Sequence, residues 1–327
     1  MNKKIFLSII IPAFNNLNHV LDLLKSIDIS NSKNIEVIII DDGSKPKLKK
    51  KLKKFKIKYK YIRNSGPATA RNFGAKVSSG NFLLFIDSDL ILPKNFINKL
   101  KNFLKKEKIK IASIPYGIKS NIDNIFSQYK AFFDYFNIST KLKEKKDKAL
   151  IGSACVFERK IFFKYNGWSQ NIKTPSLEHE EFAKRLKKTK ITRLKNLCVE
   201  HKFPTGEYLF KVIFQRSLDW VFLKLNNKVE FDGLSRTKKT GFFSLQPILF
   251  FFLSILLSIN DNFPPLILFI PLFLFILGNL NFFYFLYKKD KVNKLVKYVF
   301  IHFFFCLFVS LGALAGLFKY SFYRISK

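Results

Sequence analysis

A chain of 327 residues with 48% hydrophobic content is long enough for one large or two small domains and too apolar to be disordered. Its formal charge of +35 at pH 7 comes almost entirely from lysine, with only eight arginines, and suits an anionic membrane surface as well as it suits nucleic acid. Cys155, Cys198 and Cys306 lie far apart, so neither a disulfide framework nor a zinc site is indicated, and a reducing compartment fits.

The first apolar run, Ile5 to Ile11, is minimal for a secretion signal and has no cleavage site after it, so it reads as a strand. Leu17, Val20, Leu21, Leu24 and Ile27 then recur at helical spacing, and Asn15 or Asn16 can cap that helix. Ile35 to Ile40 predicts a second strand ending in Asp41-Asp42-Gly43-Ser44. After it, Pro46 can open a lysine-rich helix with Leu48, Leu52 and Phe55 inward. A third strand is expected over Ile57 to Ile62, a turn at Asn64-Ser65-Gly66, and a helix from Pro67 through Val77. Strands alternating with helices predict a doubly wound, mostly parallel sheet.

The run Phe82 to Leu90, FLLFIDSDL, is organised differently: five apolar residues suit a strand covered on both faces, and two carboxylates follow at its end. Ligands of open α/β sheets sit beyond such carboxyl ends. The spacing of Asp87 and Asp89 puts both side chains on one side of an extended chain. A hard divalent cation, Mg²⁺ or Mn²⁺, would relieve their repulsion. Further along, helices are expected over Pro93 to Leu104, Ile125 to Phe136 and Glu178 to Lys188. Strands are expected over Ile109 to Ile114, Leu150 to Phe157 and Ile191 to Val199, with a charged loop from Lys141 to Lys148 and His201 after the last strand.

Composition changes after Thr240. Phe242 to Ile259, Leu266 to Tyr287 and Tyr298 to Phe318 hold no Lys, Arg, Asp or Glu, and each approaches the roughly 20 residues that a helix needs to cross a bilayer. Tyr208 to Leu225 mixes aromatic and basic residues, as a helix in the headgroup region or one packed on the soluble part would. Gly312 and Gly316 have the spacing that lets two helix backbones approach. The expected division is a soluble domain over 1–205, an interfacial helix and linker over 206–240, and an all-α membrane region over 241–327. Arg236, Lys238 and Lys239 before the first span and lysines 288, 289, 291, 294 and 297 between the second and third, with no Lys or Arg in the turn Asn260 to Pro265, favour a multi-pass protein of a bacterial cell membrane with its soluble domain in the cytoplasm.

Four stretches in order, Ile9-Ile10-Ile11-Pro12-Ala13-Phe14-Asn15, Asp41-Asp42-Gly43-Ser44, Ala70-Arg71-Asn72-Phe73-Gly74 and Asp87-Ser88-Asp89, resemble the family 2 inverting glycosyltransferases. Glu178 to Leu186 is a weaker fifth. The resemblance implies a GT-A fold, a nucleotide-diphosphosugar donor and a divalent metal over about residues 5 to 201. It implies that Pro12, Ala13, Asp41, Asp42, Arg71 and Asp87 line the donor pocket and that Asp89, with Asp87 and His201, serves the metal. The fifth stretch departs from the family pattern, because His179 stands where an aspartate base is expected. The base is therefore His179, whose imidazole keeps the role, or Glu178, which keeps the carboxylate one residue earlier.

Three spans are few for a polymer-conducting channel, so the expected reaction is transfer of one sugar to a lipid-linked or glycolipid acceptor, or to an envelope glycan, among membrane lipids. A sugar nucleotidyltransferase could use the same paired aspartates but would need no membrane helices. A non-enzymatic basic protein at a membrane or on nucleic acid would use Lys45 to Lys60. A lysine run is usually a solvated face, however, and the aromatics are concentrated in the spans, so no nucleic-acid partner is expected.

Overall fold

The computed structural model describes residues 5–27, 34–106, 109–120, 122–139, 150–172, 177–186, 189–194, 196–230, 238–259 and 264–326. The charged stretch Lys141 to Lys148, Lys187, Lys188, Arg236 and the turn residues Asn260 to Phe263 lie outside them. The chain divides into two compact units, residues 1–121 with 142–202, and residues 122–141 with 203–327.

The first unit opens with β1 (Leu7–Ala13), α1 (Leu17–Ser26), β2 (Ile35–Asp42), α2 (Lys49–Leu52), β3 (Lys58–Ile62), α3 (Pro67–Val77) and β4 (Phe82–Ile86). It continues with β5 (Leu90–Ile91), α4 (Phe96–Lys106), β6 (Ile111–Ser113) and β7 (Tyr116–Ser120). In the second unit, α5 (Ile125–Ser139) follows. The first unit resumes with β8 (Ala154–Glu158), α6 (Arg159–Lys164), α7 (Leu177–Arg185), β9 (Thr192–Arg193) and β10 (Val199–His201).

Seven strands form one sheet in the order β3-β2-β1-β4-β8-β6-β9. The central strands β1, β2 and β4 pair in parallel, and their Leu, Ile and Val side chains are buried because helices cover both faces. Gly74 lets α3 lie against this sheet, since a Cβ there would fall 2.4 Å from a methyl of Ile10. Strand β8 departs from the parallel expectation and runs antiparallel to both β4 and β6, so the sheet is mixed but mostly parallel. The expected strand over Ile191 to Val199 also breaks in two. Its first part, β9, joins the large sheet, while β10 forms a three-stranded sheet in the order β5-β10-β7. That small sheet was not anticipated.

The second unit is helical. With α5 it contains α8 (Gly206–Leu225), α9 (Lys238–Ser244), α10 (Gln246–Ile259), a 3₁₀ turn at Pro265–Leu268, α11 (Phe269–Lys289) and α12 (Val292–Ile325). Lys238–Ile259, Pro265–Lys289 and Val292–Ile325 are long and apolar enough to cross a membrane. The lysines expected in a loop between the last two instead crowd the helix ends around a turn at Asp290 and Lys291. Gly312 and Gly316 of α12 take up α8: a Cβ on either would fall 2.4–2.5 Å from the carbonyl oxygens of Phe214 and Leu218. Phe210 meets Phe308 and Phe222 meets Tyr320, so the two helices run in the same direction, with Asp219 and Lys319 paired at 3.0 Å. Helix α5 belongs to this unit through its aromatic face. Tyr129 Oη lies 2.6 Å from Nδ1 of His302, whose Nε2 lies 2.9 Å from Asn279 Oδ1.

Candidate active site

The carboxyl ends of β1, β2 and β4 deliver Ala13, Asp42 and the Asp87-Ser88-Asp89 turn. Immediately after that turn the chain re-enters a strand, β5, which pairs antiparallel with β10 so that Leu90 faces His201 across the ladder. The pairing brings His201 Nε2 to 3.5 Å from Asp89 Oδ2, and the Lys202 N–H donates to the Asp89 carbonyl at 3.0 Å. Tyr116 of β7 packs the edge of its ring on His201, 5.0 Å between centroids, and shares a hydrogen bond with the Ser153 hydroxyl.

Asp89 is 35% exposed in its side chain and His201 14%, so the pair reaches solvent. Among the described residues no three His, Cys, Asp or Glu side chains gather into a cage for a metal. One carboxylate and one imidazole fit an ion of the Mg²⁺ or Mn²⁺ kind, which needs few protein ligands and takes the rest from water and substrate phosphates. Asp87 Oδ1 accepts from Nη2 of Arg71 at 2.6 Å, which leaves its second oxygen for a ligand.

Arg71 projects from α3, whose first turn is set by Pro67 after Gly66 at φ 90°. Its guanidinium is buried, with Nη2 on Asp87 and Nη1 on Glu178 Oε1 at 3.0 Å. Burial works against the charge of Arg71, but the Asp87 and Glu178 carboxylates outweigh it and raise its pKa above the ordinary value. Glu178 is buried at the start of α7, and His179 follows it with its ring edge-on to Trp168 at 5.1 Å. The structure thus joins Arg71, Asp87, Glu178 and His179 in one cluster and Asp89 with His201 in a pair alongside it.

The other expected donor residues are placed differently. Pro12 and Ala13 are buried at the end of β1, and exposed Phe14 follows them. The Asp41 carboxylate accepts from the N–H groups of Ser44 and Leu48 and from the Tyr59 hydroxyl. Asp42 accepts from the N–H groups of Ser65 at 2.8 Å and Gly66 at 2.9 Å. Burial raises the Asp42 pKa against the pull of those two amides. Both aspartates therefore shape the loops after β2 and before α3, and a carboxylate so engaged still has lone pairs to offer a ligand.

A model of the family described as glycosyl transferase family 2 matches residues 8–165. Over those residues the chain is similar to family 2 glycosyl transferases. An uncharacterized glycosyltransferase of Rickettsia conorii is 35% identical over 114 residues, 34% of this chain and 19% of that protein. The minor teichoic acid biosynthesis protein GgaA of Bacillus subtilis is 34% identical over 156 residues, 39% of this chain and 35% of GgaA. The chain thus spans about a fifth to a third of the length of these relatives. Among solved structures, the mannosyltransferase PcManGT from Pyrobaculum calidifontis, in complex with GDP-Man and Mn²⁺, is similar with a TM-score of 0.57 at 12% identity. The match covers 97% of this chain and 88% of that one. S. aureus TarS is similar with a TM-score of 0.50 at 18% identity, covering 75% of this chain and 47% of that one. At such identities the likeness is one of fold, and the fold is GT-A.

Sequence reasoning missed several residues that hold this site together. Asn72 of α3 donates from Nδ2 to the Trp168 carbonyl at 2.8 Å and accepts the Trp168 N–H at 2.9 Å, which fixes the indole beside His179. Arg185 of α7 binds the carbonyls of Tyr165 and Gly167 and is braced by Glu181. Both lie inside the quoted stretches, so the positions were visible but their partners, up to 96 residues away, were not. Tyr116 and Ser153 lie outside every recognised stretch.

Proposed function

We propose that this chain is a membrane-bound inverting glycosyltransferase that moves one sugar from a nucleotide-diphosphosugar to a lipid-linked or envelope-glycan acceptor. The observation that carries the reading is the convergence, beyond the carboxyl end of β4, of the Asp89–His201 pair with the cluster of Arg71, Asp87, Glu178 and His179. Asp89 and His201 would hold a divalent ion, which neutralises the charge that grows on the departing diphosphate. Arg71 holds Asp87 and Glu178 in place with one rigid guanidinium. His179 stands where the family's base is expected, and Arg71 holds one oxygen of Glu178, so His179 is the better base of the two. It takes the proton of the acceptor hydroxyl as that oxygen bonds to the anomeric carbon and the diphosphate leaves from the opposite face. A single displacement of this kind inverts the anomeric centre.

Two relatives support this choice of substrates: GgaA is a minor teichoic acid biosynthesis protein, and PcManGT was solved in complex with GDP-Man and Mn²⁺. The three apolar helices and the lysines around Asp290 support a multi-pass protein with its transferase domain in the cytoplasm. The test is an assay of purified full-length protein with radiolabelled UDP-, GDP- and dTDP-sugars and a bacterial lipid extract as acceptor. One donor class should yield a lipid-extractable product with a single added sugar of inverted configuration. A product of retained configuration, or a polymer, would contradict the proposal.

A further inference from the structure

The imidazole of His179 lies on bare backbone. A Cβ built on Gly152 would fall 1.9 Å from its Nδ1, 2.0 Å from Cγ and 2.2 Å from Cε1, so the ring occupies the volume that any other residue at 152 would fill. Gly152 is not among the residues with positive φ, so the backbone itself does not require glycine there. The feature that sets it apart is the space it leaves. The opposite constraint on the ring comes from Trp168, which is itself packed against Phe85, Phe157 and Phe182 and tied to Asn72. The residue before His179 is anchored by Arg71 through Glu178. An imidazole clamped in this way holds one orientation, as a base that must meet an acceptor hydroxyl requires.

We propose that Gly152 is a positioning residue for the base, its missing side chain forming the seat on which Trp168 holds the His179 ring. Any side chain at 152 displaces the imidazole from the acceptor hydroxyl. This rests on the reading of His179 as the base. It concerns residues of the transferase unit alone.

The test is a double-mutant cycle in the full-length protein: wild type, Gly152→Ala, His179→Ala and the double variant. Turnover is measured with the nucleotide sugar selected in the donor assay, and melting temperature without ligand. Gly152→Ala should lower kcat by about 10² to 10⁴, as removal of a general base does, with donor KM unchanged. Added to His179→Ala, it should change kcat less than about twofold, because the two substitutions act on one group. It should also lower the melting temperature of wild type but not of His179→Ala, where the methyl enters space the ring has left. Wild-type kcat in Gly152→Ala, or a further loss of kcat in the double variant, would overturn the proposal. Full turnover in His179→Ala would overturn the base assignment, and the proposal with it, even with the melting-temperature coupling intact. Loss of that coupling would overturn the seat alone.

Discussion

Two of the buried carboxylate networks in the first unit are built to different ends. Near the start of β2, Glu36 accepts from the hydroxyls of Ser8 and Ser79, from the Ser79 N–H and from the Lys58 ammonium. Burial alone would raise its pKa, but Lys58, Ser8 and Ser79 together hold the carboxyl at about 2. Beyond the other end of the strands, Arg71 joins Asp87 and Glu178, yet Arg71 Nε and Glu178 Oε2 have no hydrogen-bond partner among the described residues. A closed network fixes strand register and leaves nothing for a ligand. One with unused donors and acceptors keeps capacity that a substrate or a moving group can take up.

The comparison is broken most severely at Arg71. Arg71→Ala leaves two carboxylates facing each other, one of them buried, and should cost about 3 to 5 kcal/mol of stability together with all transfer. Arg71→Met with Glu178→Leu removes both charges of that pair. It should recover most of the melting temperature and none of the activity. Recovery of transfer in that double variant would mean that the network serves the fold alone.

Glu36→Gln should cost less, about 1 to 3 kcal/mol, and should leave donor binding unchanged in a titration. Its pH signature follows from the depressed pKa: the contribution of Glu36 is complete above the ordinary carboxyl value of 4.5 and is lost as pH falls through about 2. Glu36→Gln should therefore flatten the rise of stability with pH between those values. The smallest effect is expected in the helical unit. Asp219→Asn loosens the pair of Asp219 with Lys319, whose ammonium is half exposed, so the melting temperature should fall by an amount equivalent to less than about 1 kcal/mol.

What could be read from the sequence follows what local pattern can encode. Strands β1, β2 and β4 were legible because their apolar runs are short and end in turn residues, and α3 because Pro67 opens it after the turn at Asn64-Ser65-Gly66. The reversed direction of β8 was not, since a buried strand shows the same residues whichever way it runs. Strands β7 and β10 have only partial burial and three to five residues each, too little for a period to register. Yet those short strands bring His201 to Asp89. The cluster around Arg71 was half legible: the arginine and both acidic residues stood in quoted stretches, but the bond that joins Arg71 to Glu178 spans 107 residues. Gly312 and Gly316 predicted close helix packing without naming the partner, which is α8.

The central claim is that Asp89 and His201 together hold the ion that serves the donor diphosphate. Titration of Mn²⁺ into full-length protein with UDP or GDP present, followed by electron paramagnetic resonance, measures this directly. Wild type and Glu36→Gln should bind one ion with equal affinity, while Asp89→Ala and His201→Ala should each weaken binding about 10-fold or more, the loss expected of a weakened metal site. Wild-type Mn²⁺ affinity in both variants would contradict the account.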